Sequence, residues 1–207
     1  YLSYVAGAVR QLNRLYGLPP GARAFIPFNL RPRQARRNFG NFLSAVPISL
    51  PAEEADPVQR TVHIHAETSG LKAEGAYGAF GFLGKVSSFF PRRFRMRLIE
   101  AATRRGNFIC TNVPSSRQRL VFAGAPVLES YGCAALLPAH GIALGFMSYV
   151  DLICISLVCD PKIVRNPDEI LRALQSAEEE LFDVVTQALR EQDPSFSQKT
   201  AEKFVAS

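Results

Sequence analysis

Apolar residues recur along this chain with two different periods, and the places where the period changes lay out its elements. Val5, Val9, Leu12 and Tyr16 stand at helical spacing almost from the first residue, which predicts an opening helix. No capping residue precedes it and the chain does not begin with methionine, so a helix cut at its start is expected. Gly17 to Gly21, with two prolines, is a loop. Ala24 to Leu30 and Asn41 to Leu50 are short apolar runs of the kind that form buried strands. Asp56-Pro57 opens a helix through about Leu71, with aspartate as N-cap and proline in the first turn. Residues 74 to 105 are glycine-spaced at first, then helical and arginine-rich. Asn107 to Asp160 reads as four strands with a turn-forming segment after the first. Asn166-Pro167-Asp168-Glu169 then caps a last helix whose Ile170, Leu174, Ala177, Leu181, Val184 and Leu189 make one apolar stripe. Strands and helices mix without a strict βαβ repeat, so the fold class is α/β in the α+β sense, a mixed β-sheet flanked by helices.

Composition narrows the class. With 207 residues and 47% apolar content, one good core can be buried and residues 1–207 are expected to form one domain or lobe. No apolar run approaches the roughly 20 residues of a membrane-spanning helix and no signal peptide is visible, so a soluble or peripheral protein is expected. Cys110, Cys133, Cys154 and Cys159 are irregularly spaced in apolar company. They read as reduced core residues, neither a disulfide framework nor a zinc site, which fits a reducing cytoplasm.

Several kinds of chemistry can be weighed from the residues. In Cys110-Thr111-Asn112-Val113-Pro114 an apolar strand ends in polar residues, and Pro114 removes a donor and holds Val113 extended. A strand end that delivers a hydroxyl and an amide to a cleft suits stabilisation of a developing oxyanion; the plain alternative is an asparagine satisfying its own turn. His63 and His65 lie two apart in a helical stretch, nearly opposite each other, and make neither a metal pair nor a dyad. Cys133 with His140 is thin support for a nucleophile pair, because such cysteines are ordinarily buried. No Gly-x-Ser-x-Gly elbow surrounds Ser148. Gly75, Gly78, Gly81 and Gly84 recur every third residue but fit neither a phosphate loop nor a dinucleotide fingerprint. With Tyr77, Phe80 and Phe82 they read as a mobile or closely packed segment. No metal or permanently bound cofactor is expected.

The order of motifs along the chain carries a resemblance. Ile26-Pro27-Phe28-Asn29-Leu30-Arg31, then Gly40-Asn41, Leu50-Pro51, Asp56-Pro57, Thr111-Asn112-Val113-Pro114, Ala123-Gly124-Ala125, Gly141-Ile142-Ala143-Leu144 and Ser148-Tyr149 follow one another. This succession, over roughly residues 1 to 190, resembles the C-terminal half of the bacterial wax ester synthase/diacylglycerol acyltransferases of the CoA-dependent acyltransferase superfamily. Where that family has Gly-Pro after Asn-Val-Pro, this chain has Ser115-Ser116. The resemblance implies one lobe of a two-lobed fold that moves a fatty acyl group from acyl-CoA, as co-substrate, to a long-chain alcohol or diacylglycerol. It implies a general-base histidine in an N-terminal lobe of the same protein, because the family's His-His-x-x-x-Asp-Gly motif is absent here; this segment by itself is expected to be inactive. By resemblance Thr111, Asn112, Pro114, Ser148, Tyr149, Asn29, Arg31 and Asn41 line the substrate channel. On spacing alone, Ser148-Tyr149 reads as a hairpin turn with an aromatic in the core. An amide-forming or polyketide-linked acyltransferase of the same superfamily is the nearer alternative, and a non-catalytic lipid- or membrane-binding module the more distant one.

Charge adds one more candidate surface. The net charge of +6 is concentrated in Arg31, Arg33, Arg36 and Arg37, and in Arg92, Arg93, Arg95, Arg97, Arg104 and Arg105. The second group is interleaved with Phe89, Phe90, Phe94, Leu98 and Ile99, and Phe90, Phe94, Leu98 and Ala101 share a helix face. Arginine stems beside aromatic rings suit an anionic membrane surface. CoA phosphates are another fit and a solvated basic face is the plain one; nucleic acid ranks last, for want of any motif. The expected location is cytoplasmic and peripheral, on the inner membrane face or lipid droplets.

Overall fold

Helix α1 (Leu2–Tyr16) ends where Gly17 takes φ 61° and returns its N–H to the Asn13 carbonyl, a left-handed cap that glycine adopts without strain. The computed structural model describes residues 1–17, 21–29, 43–73, 90–137 and 140–192. After α1 come β1 (Ala22–Asn29) and β2 (Leu43–Leu50), then α2 (Pro57–Ala73), α3 (Arg92–Thr103) and β3 (Phe108–Pro114). A two-residue ladder of β4 (Val121–Phe122) and β5 (Ala125–Pro126) follows, then β6 (Ile142–Tyr149), β7 (Leu152–Cys159) and α4 (Pro167–Gln192). Asp56 caps α2, its carboxylate accepting the Val58 N–H at 2.8 Å. Arg31, Arg33, Arg36, Arg37, Asn41, Phe89 and the glycines at 75, 78, 81 and 84 with their aromatics lie outside the described residues.

The five long strands form one sheet in the order β2-β1-β3-β6-β7. β1, β3 and β6 are parallel, while β2 and β7 run antiparallel at the two edges. Side chains alternate across a strand, and the alternation sorts the core. Phe108 and Cys110 of β3, with Leu144 and Phe146 of β6, pack among Leu2, Val5, Ile64, Leu174 and Ala177, beneath α1, α2 and α4. Ile109 and Ala143 face the other way with Phe25, toward Ala134, Leu136 and Leu137. Arg60 of α2 is sealed into the helical layer, its guanidinium bonded to Glu180 of α4 and to the Glu54 carbonyl.

The stretch from Asn107 to Asp160 departs from the expected four strands. Three of its strands are long, the other two form the two-residue ladder, and Val127 to Leu137 is a strap without strand structure that crosses the face opposite the helices. The strap sits directly on β6: a Cβ at Gly145 would meet the Gly132 carbonyl, and a Cβ at Gly132 would stand 2.7 Å from Met147 Cε. The Ser156 hydroxyl donates to the Gly132 carbonyl. The apolar run that reads as strand therefore packs onto the sheet without joining its ladder. Two further corrections concern side chains. Cys110 and Cys154 are buried, as expected, but Cys133 of the strap is exposed. The apolar stripe of α4 is covered at Leu174 and Ala177 and open by Leu189, which is 37% exposed.

Candidate functional site

The carboxyl ends of β1, β3 and β6 share one edge of the sheet, and there the sheet divides. β1 pairs with β3 at Ala24–Phe108 and Phe25–Ile109, whereas β3 pairs with β6 from Ile109–Ala143 through Pro114–Ser148. Beyond that short ladder β1 keeps its pairing with β2 as far as Asn29. The chain thus leaves β1 to one side and β3 to the other, the topology at which open α/β sheets form their carboxyl-end crevice. Asn29, Thr111, Asn112, Pro114, Ser148 and Tyr149 all belong to this edge.

The strand geometry separates residues that are neighbours in the sequence. Thr111 and Asn112 are not beyond the strand, because the β3–β6 ladder continues past them to Pro114. Asn112 has the parity of Cys110 and Phe146 and points to the helical face; Thr111, with the parity of Ile109, points to the strap face. Thr111 is half-buried while Asn112, Val113 and Pro114 are exposed. Ser148 shares the face of Asn112. Past Pro114 the chain stays against β6, since the Ser115 N–H donates to the Ser148 carbonyl at 2.8 Å and the Val150 N–H to the Ser116 carbonyl at 2.9 Å. That is the path taken by Ser115-Ser116.

Tyr149 is enclosed where Asn112 is exposed. It is 1% exposed, accepts the Leu120 N–H and donates to the Val127 carbonyl, both at 2.8 Å. Those two residues also bond each other, Val127 N–H to Leu120 carbonyl. The phenol clamps the root of the β4–β5 arm. At the arm's tip Ala123 and Gly124 take φ 51° and 84°, the pair of positive angles that closes a two-residue hairpin. Val121 and Phe122 beside that turn are 69% and 79% exposed.

None of the three histidines of the chain stands among these residues. His140 precedes β6, at the opposite edge; it is 4% exposed, its Nε2 is 2.8 Å from the Thr103 carbonyl and its ring lies against Phe25. His63 and His65 are exposed on α2. His63 lines a cavity of about 460 Å³ with Arg23, Ser49, Glu53, Glu67 and Asn107, also at the far edge, where Glu67 accepts the Ser49 N–H and Asn107 the Arg23 N–H. The sequence offers one sign of that cavity, His63 and Glu67 one turn apart. Burial pushes the Cys110 thiol up to about 12, so it remains protonated at neutral pH and is no nucleophile. Among the described residues no group of His, Cys, Asp and Glu could hold a metal ion, and no helix is long and apolar enough to cross a membrane. The forked edge offers hydroxyl and amide groups, which can donate to a developing negative charge, and no histidine among the described residues.

Comparison with known proteins puts this geometry in context. A family model described as the WS/DGAT C-terminal domain matches residues 39–181. A Mycobacterium tuberculosis protein provisionally named as a diacylglycerol O-acyltransferase is 29% identical over 193 residues, which cover 88% of this chain and 40% of the relative. A second of that provisional name from the same species is 28% identical over 167 residues, covering 76% and 34%. The chain thus spans about 40% of the length of the first of these curated relatives. Among solved structures, the wax ester synthase/diacylglycerol acyltransferase from Marinobacter aquaeolei VT8 superposes with a TM-score of 0.61 over 87% of this chain and 41% of its own, at 17% identity, a likeness of fold.

Proposed function

The chain belongs to the WS/DGAT C-terminal domain family, and from that premise we propose that it is the C-terminal lobe of an O-acyltransferase that carries a fatty acyl group from acyl-CoA to a long-chain alcohol or diacylglycerol. The observation that carries the reading is the fork between β1 and β3, which opens the carboxyl edge of the sheet at Thr111 and Asn112. In the proposed reaction a histidine of an N-terminal lobe removes the acceptor's hydroxyl proton, the oxygen attacks the thioester carbonyl, and CoA leaves as the thiol once protonated. In this reading Asn112, which is exposed and shares the face of Ser148, donates its amide to the oxyanion that forms in between. Thr111, on the other face, is a channel residue. The arm bearing Val121 and Phe122 is the part of this lobe proposed to lodge on the N-terminal one, with Tyr149 fixing its root. Triacylglycerol or wax ester would be the product, and the inner membrane face or a lipid droplet the place where such acceptors accumulate.

The test uses a polypeptide carrying both lobes, assayed with palmitoyl-CoA and hexadecanol. Asn112→Ala should lower kcat about tenfold or more with little change in KM, the signature of a contact made chiefly in the transition state. This chain without the other lobe should give no turnover. Unchanged kinetics for the variant would remove Asn112 from the reaction, and turnover by the chain alone at a comparable rate would remove the two-lobe mechanism.

A further inference from the structure

Helix α3 stands apart from the helical layer. A helix of this size ordinarily hides an apolar stripe against a neighbour. Here every α3 residue whose exposure is described, from Arg92 to Ala102, is exposed or half-buried, and Thr103 is the first to be buried. Phe94 is 50%, Met96 45% and Ile99 43% exposed, and Phe90, just ahead of the helix, 45%. The rings of Phe90 and Phe94 touch, with centroids 4.9 Å apart, as one ridge. At about 100° per residue Ala101 continues that ridge, Arg97 stands about 60° to one side of Phe94, Arg93 and Arg95 about 100° to either side, and Arg92 nearly opposite. Glu100 is the sole acid between Phe89 and Asn107. It pairs with Arg104 at 2.8 Å; the other ion pair among the described residues is Arg60–Glu180. Arg92, Arg93, Arg95 and Arg97 therefore carry uncompensated charge on a helix with an exposed aromatic ridge, Arg93, Arg95 and Arg97 flanking the ridge and Arg92 behind it.

The C-terminal root of the helix is packed against the body. His140 bonds the carbonyl of Thr103, one of the terminal carbonyls that a helix leaves without an internal donor. Gly106 lies so close to Phe25 that a Cβ there would stand 2.5 Å from the ring. The chain on the C-terminal side of α3 is thus packed into the body, while the described residues of the helix before Thr103 are exposed or half-buried.

We infer that α3 is a membrane-docking helix. Its Phe90–Phe94 ridge enters the boundary between headgroups and acyl chains of an anionic bilayer, and the bordering arginines lie with their stems on the ridge and their guanidinium groups on lipid phosphates. Charge selects this occupant: an apolar ridge alone would suit a protein groove, but three unpaired arginines flanking it and a fourth on the same helix match an anionic surface. The inference adds a partner to the proposed action on lipids and rests on that action for its purpose only, since docking is read without any acyl transfer.

The experiment is sedimentation of the protein with phosphatidylcholine vesicles, with and without phosphatidylglycerol. Binding should require phosphatidylglycerol and weaken as salt is raised. Phe90→Ser with Phe94→Ser should lower the partition coefficient at least tenfold although no charge has changed, and glutamine at Arg92, Arg93, Arg95 and Arg97 should lower it at least as much. Both variants should keep the melting temperature, because every changed residue is exposed except Arg95, which is half-buried. Three outcomes would overturn the inference: no binding to either vesicle; binding that follows salt but ignores the two phenylalanines, which makes the helix a plain basic patch for phosphates; or a fall in melting temperature for the phenylalanine variant, which puts the ridge in the protein's own interior. A polypeptide carrying both lobes that docks but transfers no acyl group overturns the acyltransferase reading and leaves this one standing.

Discussion

Cys110 shows how far burial alone can determine a residue's chemistry. It lies in the middle of the central strand with none of its surface exposed, and burial pushes its thiol up to about 12. An unfolded thiol ionises near 8.5. Between those values the unfolded chain has released the proton and the folded chain has kept it. Stability is therefore fully present below about pH 8.5 and falls as pH rises toward 12, by up to about 1.4 kcal/mol per pH unit. Tyr4, also raised by burial and then by Glu178, adds to the alkaline loss in the same direction. Urea unfolding at pH 8 and at pH 10.5 should show that the wild type loses about 2 kcal/mol more between the two than Cys110→Ala does. Equal losses would mean that the thiol is not the titrating group. The sequence shows Cys110 in apolar company and so its burial; it shows Cys133 in similar company, and that residue is exposed, because the strap that carries it lies over the sheet and turns the side chain outward.

Glycine separates the elements that are merely helical or extended from those in contact through their backbones. Gly70 sits inside α2 with nothing within 4 Å of where a Cβ would stand, so it contributes only backbone freedom, and Gly70→Ala should raise stability by about 0.5–1 kcal/mol. Gly145 in β6 lies beneath the Gly132 carbonyl, and the Ser156 hydroxyl is 2.5 Å from where a Cβ would be. Gly145→Ala should therefore cost about 2 kcal/mol or more in the same denaturation experiment, because a backbone cannot yield as a flexible side chain does. Opposite signs for the two changes are the outcome to look for; two similar values would mean that the strap is not packed on β6. The helices were legible in the sequence at this scale because their periodicity is local: Asp56 caps α2 and the stripe of α4 starts where it was expected. The strap was not legible. Apolar residues covering a sheet face and apolar residues within a sheet have the same composition, and only the Gly132–Gly145 approach distinguishes them.

For the molecule as a whole, the helical layer is tied together by a buried ion pair. Arg60 is 1% and Glu180 35% exposed, and a Cβ at Gly7 of α1 would stand 3.2 Å from the Arg60 guanidinium, so α1, α2 and α4 meet there. Removing one partner leaves a buried charge without its counter-ion. Glu180→Ala should cost about 3 kcal/mol, toward the lower end for such pairs because Glu180 is partly solvated, while Arg60→Met with Glu180→Leu should cost much less. A double variant as unstable as Glu180→Ala would show that the pair is net stabilising and that apolar packing does not replace it. Chemical denaturation of the three proteins measures this directly.

Family membership and the succession of helices were determined by the sequence, since motif order and periodicity are properties of the chain read locally. The site was only half legible. Motif order pointed to Thr111, Asn112, Ser148 and Tyr149, and they do belong to one edge of the sheet. Their separate placements came from the tertiary structure. Adjacent strand residues point to opposite faces, so Thr111 and Asn112 part company, and the phenol of Tyr149 meets Leu120 and Val127, more than twenty residues away. The fork between β1 and β3 is likewise a matter of which strand each one keeps as its neighbour. Pairing joins segments far apart in the chain through backbone groups that every residue carries alike, and so it leaves little mark on the sequence.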